Sequence, residues 1–149
     1  MTPSHTGAAG TGSSSGSQSP QWSAVTLGSG ALPPAGPYSP AVRAGAFVFV
    51  SGQVPRDPLT GELTGGGVTE QSERVLSNLV AVLAAAGAGP QHVVSVTVYL
   101  ADEQDWAEFN EVYKSVFTAP YPSRTAVGAR LRGILVEVSA VAYVGDGVG

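Results

Sequence analysis

The chain contains no cysteine, which excludes a disulfide framework, a thiolate metal site and a cysteine nucleophile together. Histidine is nearly as scarce: His5 and His92 are the two present, too far apart to make a local metal-binding motif. Charge is thin as well. Only 12% of the 149 residues are charged, the net charge is −4, and no charged side chain occurs before Arg43. A nucleic-acid binder needs a basic stripe to meet phosphates, and this composition does not supply one. Long hydrophobic runs are also missing, because polar residues interrupt the valine-rich segments, so no membrane span is expected. The expectation that remains is a single cytoplasmic domain that needs no metal and no cofactor.

Residues 1–20 are mostly Ser, Thr, Gly and Pro, with too little apolar surface to offset the entropy of ordering them. They lack the basic and apolar regions of a signal peptide and are expected to form a disordered tail ahead of a domain over 21–149. Within that domain, residues 21–27 can form a first strand; residues 42–50 are rich in Val and Phe, and Ala46-Phe47-Val48-Phe49-Val50 reads as a buried strand. Asp57-Pro58-Leu59-Thr60-Gly61 is a turn. From Thr69 to Gly87 an apolar stripe of Val75, Leu76, Leu79, Val80 and Leu83 predicts an amphipathic helix, with Gly87 as its stop.

Residues 93–100 alternate, which puts Val94, Val96, Val98 and Leu100 on one face and Val93, Ser95, Thr97 and Tyr99 on the other. Asp102 is placed to cap a second helix, with Trp106, Phe109, Val112, Tyr113, Val116 and Phe117 as its buried stripe. Pro120 and Pro122 end it, and strands over 123–130 and 135–144 close the chain. Two helices cover one face of such a sheet. On the other, Glu137, Ser139, Val141 and Tyr143 share a side that is half apolar, a pattern that predicts burial against another copy of the chain.

Arg124 is the residue that points to chemistry. It begins an apolar strand, where a guanidinium must find an anion and can grip a carboxylate with two parallel donors. Glu137 sits inside a strand of Val and Ala, Tyr38 on a stiff Gly-Pro turn, and Asn110 along the buried stripe of the second helix. Each has a structural alternative: Arg124 and Glu137 can pair with each other or with other charges, Tyr38 can pack, and Asn110 can cap a loop. Read together, one cation, one carboxylate and one phenol among apolar residues suggest a pocket for a small anion.

The segments Gly36-Pro37-Tyr38-Ser39-Pro40-Ala41-Val42, Ser51-Gly52-Gln53-Val54-Pro55, Asp57-Pro58-Leu59-Thr60-Gly61, Asn110-Glu111-Val112-Tyr113, Pro122-Ser123-Arg124-Thr125 and Val136-Glu137-Val138 resemble, in order, the RidA (YjgF) family. The resemblance implies an α+β, chorismate-mutase-like fold. Its mixed sheet carries two helices on one face and assembles as a homotrimer around a central barrel, with sites in the clefts between subunits. It also implies a cofactor-independent hydrolase of reactive enamines and imines derived from amino acids, which releases 2-oxo acids and ammonia.

Carried over residue by residue, Arg124 would bind the substrate carboxylate and Glu137 would orient water. Tyr38 and Asn110 would shape the cleft, and Ser51, Gly52 and Ala126 would contribute further substrate contacts, Gly52 and Ala126 through their backbones. Two departures stand out. Ala126 replaces a cysteine common in the family, and the connection from Arg124 to Glu137 is short and lacks the usual Leu-Pro. A tightened turn would leave Glu137 in place, whereas a one-residue slip would turn it to the wrong face. The alternatives are a relative that cyclises or dehydrates an imine in a specialised biosynthetic pathway, and a non-catalytic small-carboxylate binder or holdase.

Overall fold

A computed structural model describes residues 21–145; the expected tail over 1–20 lies outside them. Six strands form one mixed sheet: β1 Trp22–Val25, β2 Ala41–Ala44, β3 Phe47–Gln53, β4 Val93–Leu100, β5 Ser123–Gly128 and β6 Val136–Tyr143. Helices α1 (Val68–Ala85) and α2 (Trp106–Val116) connect them. The strand order is β1-β2-β3-β6-β4-β5. β6 runs antiparallel to both β3 and β4, and β5 runs parallel to β4. β3–α1–β4 and β4–α2–β5 are therefore crossover units, the connection that parallel strands require. The fold is α+β, as expected, with six strands.

The α1 helix forms where the stripe predicted it. Val75, Leu76, Leu79 and Leu83 are fully buried with Val82, whereas Val80 is only half-buried. At its start the Glu70 carboxylate accepts from the Gly67 N–H at 2.8 Å, one half of a capping box. At its end Gly87 takes φ +78°. Its N–H donates to the Ala84 carbonyl, and the Ala88 N–H reaches back to Leu83 at 2.8 Å. This paired closure lets a glycine terminate a helix. The Asp57–Gly61 turn is also present: the Asp57 carboxylate accepts from the Leu59 and Thr60 N–H groups. Those two bonds hold its pKa below the usual value.

Three expectations need correction. The strand expected over 46–50 is present within β3, but it is not buried throughout: Phe47 and Phe49 are exposed. Gly45 at φ +58° reverses the chain between Ala44 and Phe47 to join β2 and β3 as a hairpin. A two-residue loop of this kind needs a positive φ at its first position, which glycine supplies. The regular alternation along β4 also fails at its start. The pairing with β6 shifts between Val93 and Ser95, and this bulge buries Val93 while Val94 is exposed. Finally, Trp106 is not part of a buried stripe. It is 42% exposed at the start of α2, behind a short 3₁₀ turn that Asp102 caps through the Gln104 N–H.

From Val96 onward the two faces of the sheet separate cleanly. Val96, Val98, Leu100, Val136, Val138, Ala140 and Ala142 are buried beneath the helices. On the opposite face the cross-strand rows run Trp22–Ala44–Phe47–Tyr143 and Ala24–Val42–Phe49–Val141. Trp22, Phe47, Phe49 and Tyr143 are all exposed there, with Phe47 and Tyr143 ring centroids 5.3 Å apart. This is a large apolar surface for a single chain to leave in water.

Candidate active site

Arg124 pairs with the buried Val96 across the parallel β4–β5 ladder, so its side chain lies on the helix face of the sheet. There the guanidinium carbon sits 4.7 Å from the centroid of the Tyr113 ring, 5.4 Å from Trp106 and 6.0 Å from Phe109. Aromatic faces attract a cation in this way while leaving its N–H groups free. One of them donates to the Asn110 side-chain oxygen at 2.8 Å. Asn110 does not cap a loop; it steers the arginine. Among the described residues the ion pair present is the exposed Lys114–Glu111 contact, so Arg124 has no structural carboxylate. Beside it is a pocket of about 330 Å³ lined by Asn110, Tyr113, Lys114, Tyr121, Pro122 and Arg124. Ala126 follows on the same face of β5, half-buried against the core.

Glu137 lies on the other face. It pairs with Tyr99 and stands between the buried Val136 and Val138. The short connection before it is resolved by a tight turn. Arg132 and Gly133 both take positive φ, +55° and +88°, and the Ile134 N–H closes back on Leu131. Two such residues in sequence reverse a chain in minimal length. The register of β6 is intact, with Glu137 pointing away from the helices.

The Glu137 carboxylate packs directly on Gly52. A Cβ added to Gly52 would stand 3.0 Å from the carboxyl carbon of Glu137, so this glycine gives the carboxylate its room. β3 bulges here: Val50 pairs with Ala140 and Gln53 with Val138, so Ser51 and Gly52 together oppose Ser139. A bulge re-aims the local backbone, often beside a functional site. The Ser51 hydroxyl donates to the Ser39 carbonyl at 2.7 Å and its N–H to Pro40. These bonds tie the Tyr38 turn to the bulge. Tyr38 itself is exposed, with its ring over Gly36.

Residues 28–144 match the family described as Endoribonuclease L-PSP. The chain belongs to this family, the RidA or YjgF family. The mouse 2-iminobutanoate/2-iminopropanoate deaminase is 45% identical over 112 residues, which cover 74% of this chain and 83% of the mouse protein. The structure of RidA from an Antarctic Psychrobacter is 38% identical with a TM-score of 0.74, covering 80% of this chain and 98% of that one. The structure of E. coli TdcF with bound serine is 36% identical with a TM-score of 0.70, covering 76% and 93%.

In this RidA-family chain the residues singled out in the sequence fall into two groups. Arg124, Asn110 and Ala126 gather on the helix side of the β5 edge. Glu137, Gly52, Ser51 and Tyr38 gather around the β3 bulge on the open side. Arg124 and Glu137 do not pair with each other, because their strands present them to opposite faces. Sequence reasoning assigned Trp106 and Tyr113 to core packing and gave no role to Tyr121. Their signal lies in the spacing: Trp106 and Tyr113 stand four before and three after Asn110 on one helix face, and Tyr121 stands next to Pro122.

Proposed function

We propose that this chain hydrolyses reactive enamine and imine intermediates derived from amino acids, releasing 2-oxo acids and ammonia. It works as a homotrimer whose sites lie between copies. The observation that carries the reading is Arg124: a guanidinium fixed by Asn110 and three aromatic rings, open to a pocket and, among the described residues, without a structural carboxylate. Such a group is poised for the carboxylate of a small substrate.

The opposite-face arrangement supports the assembly. A small molecule cannot touch Arg124 on one side of a sheet and Glu137 on the other. Arg124 of one copy must therefore meet the Glu137–Gly52 group of a second copy. The exposed apolar face of Trp22, Phe47, Phe49 and Tyr143 supplies a surface for that contact.

The chemistry asks little of the protein beyond placement. A protonated imine carbon is already electrophilic. Arg124 holds the carboxylate, and backbone groups at Gly52 and Ala126 fix the nitrogen end. Glu137 accepts a proton from water as the water oxygen bonds to the imine carbon. The resulting tetrahedral carbinolamine takes that proton back from Glu137 on its nitrogen. Ammonia leaves as the C–N bond breaks, while the hydroxyl proton returns to the Glu137 carboxylate and the C=O bond of the 2-oxo acid forms. Positioning of this kind lowers a barrier by fixing reactants at contact. The name of the matching family mentions an endoribonuclease, but a chain of net charge −4 offers little to a phosphate backbone.

The test is 2-oxo acid release from imines generated in place by an amino-acid oxidase, with and without the protein. Acceleration with at least one small amino acid is expected. No acceleration with any amino acid would overturn the reading.

A further inference from the structure

We infer that Gln71, on the buried face of α1, is the positioning residue that sets Glu137 against the Gly52 bulge; the inference rests on the deaminase reading above. Gln71 is only 4% exposed and lies among aliphatic side chains on the same helix face as Val75 and Leu79. A primary amide buried there is costly unless both its ends are satisfied. Both are. Its Oε1 accepts from the Leu135 N–H at 2.8 Å, and its Nε2 donates to the Thr64 carbonyl at 3.1 Å.

Leu135 stands two residues before Glu137, at the point where the tightened turn gives way to β6. Its carbonyl accepts from the Ala101 N–H at 3.0 Å, and its N–H has Gln71 as acceptor. The turn is strained by Arg132 at φ +55°, a conformation that a residue with a Cβ seldom adopts. The side chain of Gln71 therefore fixes the phase at which β6 begins. That phase matters because a one-residue slip would bury Glu137 and expose Val136 and Val138.

The same helix holds the other partner of the pair. Asn78, seven residues along, donates to the Val54 and Arg56 carbonyls at 3.0 and 2.9 Å. Thr64, the acceptor of Gln71, donates its N–H to Pro55 at 2.8 Å. One helix thus anchors the chain just before Glu137 and just after Gly52, and the carboxylate–bulge contact sits between the two anchors. Gln71 touches no substrate; it acts through Glu137.

Gln71→Met keeps a side chain of similar length with neither donor nor acceptor. In the full-length protein, kcat is expected to fall about ten- to a hundredfold, the scale of a displaced reacting group. KM should change less than about twofold, because the Arg124 group is untouched. Gln71→Glu provides rescue with a signature. A neutral carboxyl group accepts from Leu135 and donates to Thr64, whereas an ionised one cannot donate. Its activity should approach wild type at acidic pH and fall as pH rises, adding a descending limb that the wild type lacks. A lowered Tm with unchanged kcat per folded molecule, or two identical pH profiles, would overturn the inference.

A second readout does not use turnover. The Glu137 carboxyl carbon resonance, observed by NMR at one pH, should move between wild type and Gln71→Met as the carboxylate leaves its contact with Gly52, and an unchanged resonance would also overturn the inference. If the wild type hydrolyses no imine, the deaminase reading fails and the NMR comparison alone decides whether Gln71 positions Glu137.

Discussion

Replacing Arg124 with alanine or lysine separates a substrate-binding guanidinium from a structural one. A guanidinium has about five N–H donors, and one of these goes to Asn110. Enough remain for two parallel bonds to a carboxylate. Removing one partner of a desolvated charge pair typically costs about 2–5 kcal/mol, or roughly thirty- to several-thousand-fold in affinity. Arg124→Ala should lose that much in kcat/KM on carboxylate-bearing imines. Arg124→Lys should recover little, since an ammonium is a point charge and Asn110 and the rings hold a planar fork.

The fold should respond far less. Arg124 is exposed in the protomer, and removing it strands no carboxylate among the described residues. The loss is one hydrogen bond and contacts with Tyr113, Trp106 and Phe109, about 1–2 kcal/mol together. That corresponds to a fall in Tm on the order of 5 °C. Measuring 2-oxo acid release and thermal unfolding on the same preparations decides the matter. A strongly destabilised Arg124→Ala protein that keeps its activity per folded molecule would refute the reasoning.

Glu137→Gln should cut turnover at least tenfold while leaving the affinity for a 2-oxo acid product nearly unchanged; equal turnover in a stopped assay would remove Glu137 from the chemistry. Gly52→Ala places a methyl group 3.0 Å from the Glu137 carboxyl carbon, so the carboxylate must swing aside. Turnover should fall with little change in Tm, and wild-type kinetics would show that its position is not critical. Burial pushes the Tyr113 phenol up, with Arg124 opposing and Tyr121 adding to the shift. The stabilising contribution of this group is therefore full below pH of about 10 and is lost as pH rises through the folded value. Tyr113→Phe should lessen the alkaline loss of Tm. It should also leave Tm equal or higher at neutral pH, because the buried hydroxyl has no partner among the described residues; a large drop would contradict this. Sedimentation at micromolar concentration should show a trimer, and a monomer would remove the proposed clefts.

Much of this was legible in the sequence because it depends on local rules. The α1 stripe and its Gly87 stop follow from helix periodicity and a single positive φ. The side of β6 that carries Glu137, Ser139, Val141 and Tyr143 follows from alternation. What escaped depends on pairing. The Gly45 reversal hides within a continuous apolar run, and the Val94 bulge is visible only against β6. The opposite facing of Arg124 and Glu137 requires the register of β4 with both its neighbours. Gln71 and Asn78 look like solvated amides until their phase is compared with Val75, Leu79 and Val82.

The division of the site between two sheet faces also has a genetic consequence. In the proposed trimer each cleft takes its two halves from different chains. An allele damaged at Arg124 and an allele damaged at Glu137 would each be inactive alone, yet a mixed assembly contains clefts in which an intact arginine faces an intact carboxylate. The two lesions would complement, and selection on either residue would act through the neighbouring copy.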